Sequence, residues 1–288
     1  MIRNPAALSD RERREPILNQ LDIPTVQKHY LEPNMMVSLL LLLLLPVLAL
    51  SHPVKFLPLD CEDVYKNGSI HSGVYTIFPA GHDSPVEVYC DMDCEEDDSE
   101  DKGGWTVIQR RMDGTVNFYR PWDQYKKGFG NPAGEYWLGL HNMFLITWTR
   151  KYRLRVDMED FTGGKVHAHY SSFAVDTETE RFKLHIGNYI DGGAGNSLIS
   201  SNGQRFSTFN HDYDYNYYHN YAQECHGGFW FGYNVQANPN GLYTWGHSSY
   251  RTGVLWSTWK GHYYSLKAIT MKIRPLSLDD LQGTIGYI

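Results

Sequence analysis

The sequence predicts a single domain of mixed α and β structure, and three observations predict it. Short runs with the period-two alternation of half-buried strands recur along the chain, while only two stretches carry a helical period. A long segment from Asp191 to His247 is dominated by Gly, Asn, Tyr and Asp and shows neither period. The composition, 42% hydrophobic and 20% charged over 288 residues, supplies enough apolar material for a sizeable core.

The elements follow in order. Asp60 suits the N-cap of a short helix through Glu62, Val64 and Tyr65, which Asn67-Gly68 ends. Strand-like runs come next at Gly73–Phe78, Val86–Cys90 and Trp105–Arg111. Between the last two lies Glu95–Asp101, an acidic run with no apolar member, which reads as a solvated loop. Tyr136–Trp148 is apolar on a helical period and is expected to pack on a sheet as one helix. In the next run Tyr152, Leu154, Val156 and Met158 alternate with Arg153, Arg155 and Asp157, as one buried and one wet face require. Lys165–Val175 puts His167 and His169 on one strand face. With no third ligand nearby, they are expected to face solvent and not to grip a metal. Tyr263–Arg274 reads as one closing strand, with Ile269, Met271 and Ile273 on one face. The loop-rich segment before it is too long for a compact domain unless it is functional or held by a ligand or ion.

Charge and cysteine usage bound the function. The net charge of -7, with no run of Lys and Arg, excludes nucleic acid as a partner. The chain has 21 tyrosines and 8 tryptophans, rings that serve either a binding face or an irregular core. Residues 35–51 contain seven consecutive leucines, Leu39–Leu45, followed by Pro46 and small residues. That run is too short for a membrane span and fits a signal peptide, so secretion to the extracellular space or matrix is expected. Residues 1–34 are polar and aperiodic, an artefactual or disordered extension, and residues 52–58 form a short N-terminal segment. The domain itself occupies residues 59–275, and residues 276–288 form a tail. Four cysteines, Cys61, Cys90, Cys94 and Cys225, allow three complete connectivities. Asn67-Gly68-Ser69 is a glycosylation sequon. The spacing of Cys90, Cys94, Cys225 and His226 fits no standard zinc site. No catalytic motif of the hydrolase, zinc-protease, phosphate-loop or dinucleotide type is present, so an enzyme is not expected.

Several phrases resemble the fibrinogen C-terminal domain family. They include Val88–Met92 (Val-Tyr-Cys-Asp-Met), Gly103–Arg111, Tyr119–Tyr125, Gly134–Gly139, Asp191–Gly195, Phe206–Phe209, Asn238–Gly241 and Lys272–Pro275. They run in family order over nearly the whole domain. Within the family, the short N-terminal segment, with neither collagen-like stalk nor coiled coil, is similar to the microfibril-associated branch. The resemblance implies an α+β fold with a small N-terminal part, a central twisted antiparallel sheet and a loop-rich calcium and ligand subdomain. It also implies a Cys61–Cys90 disulfide, leaving Cys94 and Cys225 to pair mutually, bridge chains or stay free.

By the same resemblance Asp212 and Asp214 supply carboxylates to Ca2+, and the carbonyls of Asn216 and Tyr218 complete the site. Hard oxygen donors of this kind are what calcium takes. A position that is commonly acidic in the family is Asn210 here. The chain also departs from the family. Tyr221 and Asn234 stand where a second disulfide normally staples the calcium loop. Val235 replaces the histidine that, in family lectins, helps form an acetyl-group pocket. Of the pocket's other positions, Tyr250 is kept and Cys225 replaces an aromatic. Two functions are therefore weighed. One is a calcium-binding matrix and adhesion protein contacting extracellular-matrix proteins or cell-surface glycans. The other is an innate-immune lectin for acetylated carbohydrates. Val235 favours the first, though no Arg-Gly-Asp adhesion motif supports it. Homo-oligomerisation is left open.

Overall fold

The computed structural model describes residues 56–93 and 103–277. The expected extension, the signal peptide, Cys94, the acidic run and nearly all of the tail lie outside the described residues. Asp60 caps helix α1 (Cys61–Lys66), its side chain accepting the amide of Asp63 at 3.1 Å. Asn67 closes that helix and is exposed, as a glycosylation acceptor must be. Strands β1 (Gly73–Ile77) and β2 (Val86–Asp91) form an antiparallel hairpin. A Cys61–Cys90 disulfide ties α1 to β2 with a Cα–Cα distance of 5.4 Å. Closing that 29-residue separation stabilises the fold by about 3–4 kcal/mol on the chain-entropy account.

Beyond β3 (Trp105–Arg111) come helix α2 (Trp122–Lys127), β4 (Phe129–Gly130), β5 (Tyr136–Trp137) and helix α3 (Leu140–Thr149). Tyr136–Trp148 is thus not one helix. Tyr136 and Trp137 pair as a strand with β3 and β4. Helix α3 starts after Gly139, whose φ of 102° places it against the carbonyl carbon of Lys127, where a Cβ would sit 2.7 Å away. An apolar period cannot carry a helix through a backbone held in that region.

The sheet is completed by β6 (Tyr152–Glu159), β7 (Lys165–Val175), β8 (Leu184–Ile186) and β9 (Tyr189–Gly192). Strand β6 is buried at every second residue, as its alternation requires. The last part of the chain holds α4 (Tyr221–Glu224), β10 (Ala237–Asn238), β11 (Gly246–His247), β12 (Leu255–Trp256), α5 (Ser257–Lys260), β13 (Tyr264–Ser265) and β14 (Ala268–Pro275). Along the main sheet the order is β1-β2-β3-β14-β6-β7-β8. The closing strand therefore sits at the centre, antiparallel to both β3 and β6. Tyr263–Arg274 is interrupted because its ends pair with different partners. Leu266 bonds to Val254, and Lys267 bonds to Glu159.

The rings divide between the core and the surface. Trp122, Tyr125, Trp137, Phe206 and Trp230 contact one another in a chain, with centroid separations of 5.0–6.3 Å. His167 and His169 lie opposite Asp157 and Arg155 on the wet face of the sheet and are half-buried there. His169 meets the edge of Trp105, and His167 packs on Gly192 of β9.

Candidate ligand face and calcium loop

The segment after Phe206 is positioned by the aromatic core. Ser207 and Phe229 exchange backbone hydrogen bonds, and Thr208 does the same with His211. His211 stacks on Trp122 at 5.4 Å, and Tyr213 meets the same indole edge-on at 5.5 Å. The base of the loop is thereby fixed, and its tip projects outward. Tyr217 and Tyr218 are 93% and 86% exposed.

Three side chains order the tip by accepting the amide two residues on. Asp212 takes Asp214 (3.2 Å), Asp214 takes Asn216 (2.8 Å), and Asn216 takes Tyr218 (3.0 Å). The second oxygen of Asp214 accepts the amide of Tyr221 at 2.8 Å. Burial pushes the Asp214 carboxyl up to about 6, and the neighbouring Asp212 charge adds to that rise. Among the described residues no Lys or Arg pairs with either carboxylate. The carbonyls of Asn216 and Tyr218 accept no backbone hydrogen bond from the described residues. Two close carboxylates without a counter-charge, beside uncommitted carbonyls, fit a hard cation. Among the described residues no three or more His, Cys, Asp or Glu are grouped so as to hold a metal, so carbonyls or water would have to complete the shell. Asn210 has another task, accepting the amide of Trp122 and the hydroxyl of Thr208.

Tyr221 makes a non-covalent link across this region. The hydroxyl of Tyr221 donates to the carbonyl of Tyr233 at 3.1 Å and accepts from Asn216 Nδ2 at 3.1 Å. Tyr221 therefore joins the Asp214 carboxylate to the segment carrying Asn234 and Val235. The meaning of this tyrosine was not legible in the sequence, because its partners are fixed only by the fold.

The three residues expected at the ligand face converge but do not share one surface. Cys225 and Val235 are each 2% exposed and belong to the interior, while Tyr250 is 48% exposed. Burial pushes the Cys225 thiol up to about 12, the state of an inert core thiol. Asn238 knits the region together by donating to the carbonyls of Cys225 (2.8 Å) and Arg251 (3.1 Å). The guanidinium of Arg251 lies 4.6 Å from the Tyr250 ring centroid and donates to Asn234 Oδ1 at 2.8 Å. Tyr250 also packs against His262 and Tyr263 at 5.3 and 5.4 Å.

One buried ion pair anchors this whole region to the sheet. Arg111, at the end of β3, faces Glu135 at 3.5 Å, and both side chains are almost fully buried. Glu135 accepts the amides of Met112, Asp113, Gly114 and Val116. Burial raises its pKa, but the Arg111 charge and these amides more than offset that and hold it below the usual value. Arg111 also donates to the carbonyls of Pro239 (3.3 Å) and Gly241 (2.6 Å). Both residues fall inside the runs that carry the family resemblance, yet their pairing across 24 residues carries no sequence signal.

Comparison with known proteins follows this geometry. Residues 57–276 match the family described as fibrinogen beta and gamma chains, C-terminal globular domain. The chain is 48% identical over 224 residues to microfibril-associated glycoprotein 4 of Bos taurus, covering 76% of this chain and 85% of that protein. It is 43% identical to ryncolin-4 of Cerberus rynchops over 217 residues, 75% of this chain and 61% of the relative. Among solved structures, the fibrinogen-like globe domain of human ANGPTL2 superposes with a TM-score of 0.70 at 43% identity, covering 76% of this chain and 99% of that one. The chain belongs to the fibrinogen C-terminal domain family.

Proposed function

We propose that this member of the fibrinogen C-terminal domain family is a secreted, calcium-binding, non-enzymatic recognition protein of the extracellular matrix. Its similarity to microfibril-associated glycoprotein 4 supports a matrix or adhesion role. The observation that carries the calcium part is the Asp212–Asp214 pair, which lacks a cationic side-chain partner among the described residues and is tied through Tyr221 to the segment beside the ligand face. In this reading Asp212, Asp214 and the carbonyls of Asn216 and Tyr218 hold the ion. The ion supplies positive charge that orders the loop, while Tyr250 and its neighbours contact the partner. Burial of Val235 and Cys225 removes two walls of an acetyl-group pocket from the surface, which disfavours the lectin alternative.

The test is retention of the secreted chain on immobilised elastic-fibre and collagen preparations. Retention in calcium, release by chelator and loss in Asp212→Asn with Asp214→Asn are expected. Absence of retention, or retention indifferent to chelator, overturns the proposal. Elution by free acetylated sugar from an acetylated resin would favour the lectin instead.

A further inference from the structure

Arg251 is held in a backbone conformation that costs a non-glycine residue energy, with φ at 63°. Its amide bonds to the carbonyl of His262 at 2.9 Å, fixing the two residues side by side. Of the five donors a guanidinium carries, the described residues accept one, at Asn234 Oδ1. Its Nε and the Nδ1 of His262 are buried without a hydrogen-bond partner among the described residues. No carboxylate pairs with Arg251 there either. The carboxylates of this region are engaged elsewhere, Glu224 with His219 at 2.7 Å and Asp214 with the amides of Asn216 and Tyr221. A protein of net charge -7 thus keeps an unneutralised guanidinium on its candidate binding face, where a counter-ion was readily available in composition.

The surroundings narrow the ligand. Tyr250 and Tyr263, 48% and 60% exposed, set two rings 5.4 Å apart, the first of them against the guanidinium. Two concave regions of about 370 and 460 Å³ among the described residues lie elsewhere, over Trp105 and Lys272 and beside Leu145. With both rings about half exposed, this face is ring-lined and open to solvent, with one fixed cation. A pyranose can lay its C–H face on such rings while an acidic substituent reaches the guanidinium. A planar guanidinium matches two oxygens of a carboxylate or sulfate at once. We infer that Arg251, with Tyr250 and Tyr263, forms a subsite for a sugar bearing a sulfate or carboxylate group. The inference rests on recognition through this face and adds the ligand's charge to it.

The test measures binding of the full secreted chain, in calcium, to three immobilised polymers: chondroitin sulfate, hyaluronan and a neutral N-acetylglucosamine oligomer. The acidic polymers are expected to bind and the neutral one to bind at least about tenfold more weakly, the scale of one charge-assisted contact. Arg251→Gln should remove that preference and Arg251→Lys should retain part of it. Lys66→Gln, on α1, should leave it unchanged. A thermal melt of each variant shows that loss of binding is not loss of fold. Equal binding of the neutral polymer, or an unaltered preference in Arg251→Gln, overturns the subsite while leaving matrix recognition standing. Failure to bind any of the three glycans, with retention on elastic-fibre protein preserved, also overturns it alone. Failure on every surface overturns the recognition reading as well.

Discussion

Tyr221 shows how a single side chain can replace a covalent constraint. By the family resemblance it stands at an expected staple position, and it is 8% exposed. Its amide holds Asp214, and its hydroxyl holds both Asn216 and the carbonyl of Tyr233. A disulfide acts mainly by restricting the unfolded chain, whereas these bonds act only in the folded state. The loop is therefore ordered by contacts that can be lost one at a time. Tyr221→Phe keeps the ring against Phe231 but leaves the Tyr233 carbonyl and Asn216 amide without that partner. Denaturant unfolding of the variant should show a loss of about 1–2 kcal/mol. The calcium concentration needed for half-maximal stabilisation should rise as well. Unchanged values in both measurements would remove Tyr221 from this role.

At the scale of elements, the central position of β14 governs the charge on the sheet's open face. Lys272 projects from that strand and reaches Asp91 at 2.6 Å and Asp157 at 2.7 Å. Burial lowers the Lys272 pKa, but the two carboxylates overcome it and the net shift is upward. For Asp157 burial raises the pKa, and the charges of Lys272 and Arg155 bring it below the ordinary value. The signs give two limbs. Asp157 contributes stability above its unfolded value of 3.8, which is lost as pH falls through the lower folded pKa. Lys272 contributes fully below 10.5, and that contribution is lost as pH rises through the higher folded pKa. This network adds to the melting temperature a plateau between these limits that falls away outside them, superimposed without calcium on the loss that Asp214 brings as pH rises through about 6. Lys272→Met should lower the plateau and abolish the alkaline fall; a variant with the same alkaline limb would exclude this network as its source. The register behind the network is only partly legible in sequence. Strand β6 announces itself because one face is wet and one dry. Nothing in Ala268–Pro275 says that β3 and β6 will close around it, since strand order is set by long-range pairing. The stretch from Asp191 to His247 has no period because side-chain-to-backbone bonds and buried rings, not ladders, hold it. For the same reason Asp212 and Asp214 stand out only through the resemblance to the family's calcium position, and Tyr221, Arg111 with Glu135, and Arg251 acquire meaning only from distant partners.

For the molecule as a whole, the question is whether ordering one loop can move the stability of the entire domain. The loop base stacks on Trp122, which belongs to the same ring network as Trp137 of the sheet. Arg111 and Glu135 bind β3 to Pro239 and Gly241 in the loop-rich part. With these ties the sheet and the loop-rich region should unfold together, so an ion bound only by the folded loop stabilises everything. An ion at about a hundred times its dissociation constant adds about 2.7 kcal/mol by mass action. For a domain of this size each kcal/mol shifts the melting temperature by about 2–4 °C. Chelation should therefore lower a single thermal transition by about 5–11 °C, and Asp212→Asn with Asp214→Asn should sit at the chelated value in either condition. Arg111→Met leaves Glu135 buried without its counter-charge, at a cost of about 3–5 kcal/mol. That variant should split the calorimetric transition, with only the component from the loop-rich region responding to calcium. A wild-type melting curve indifferent to excess chelator would remove calcium as the clamp on this face.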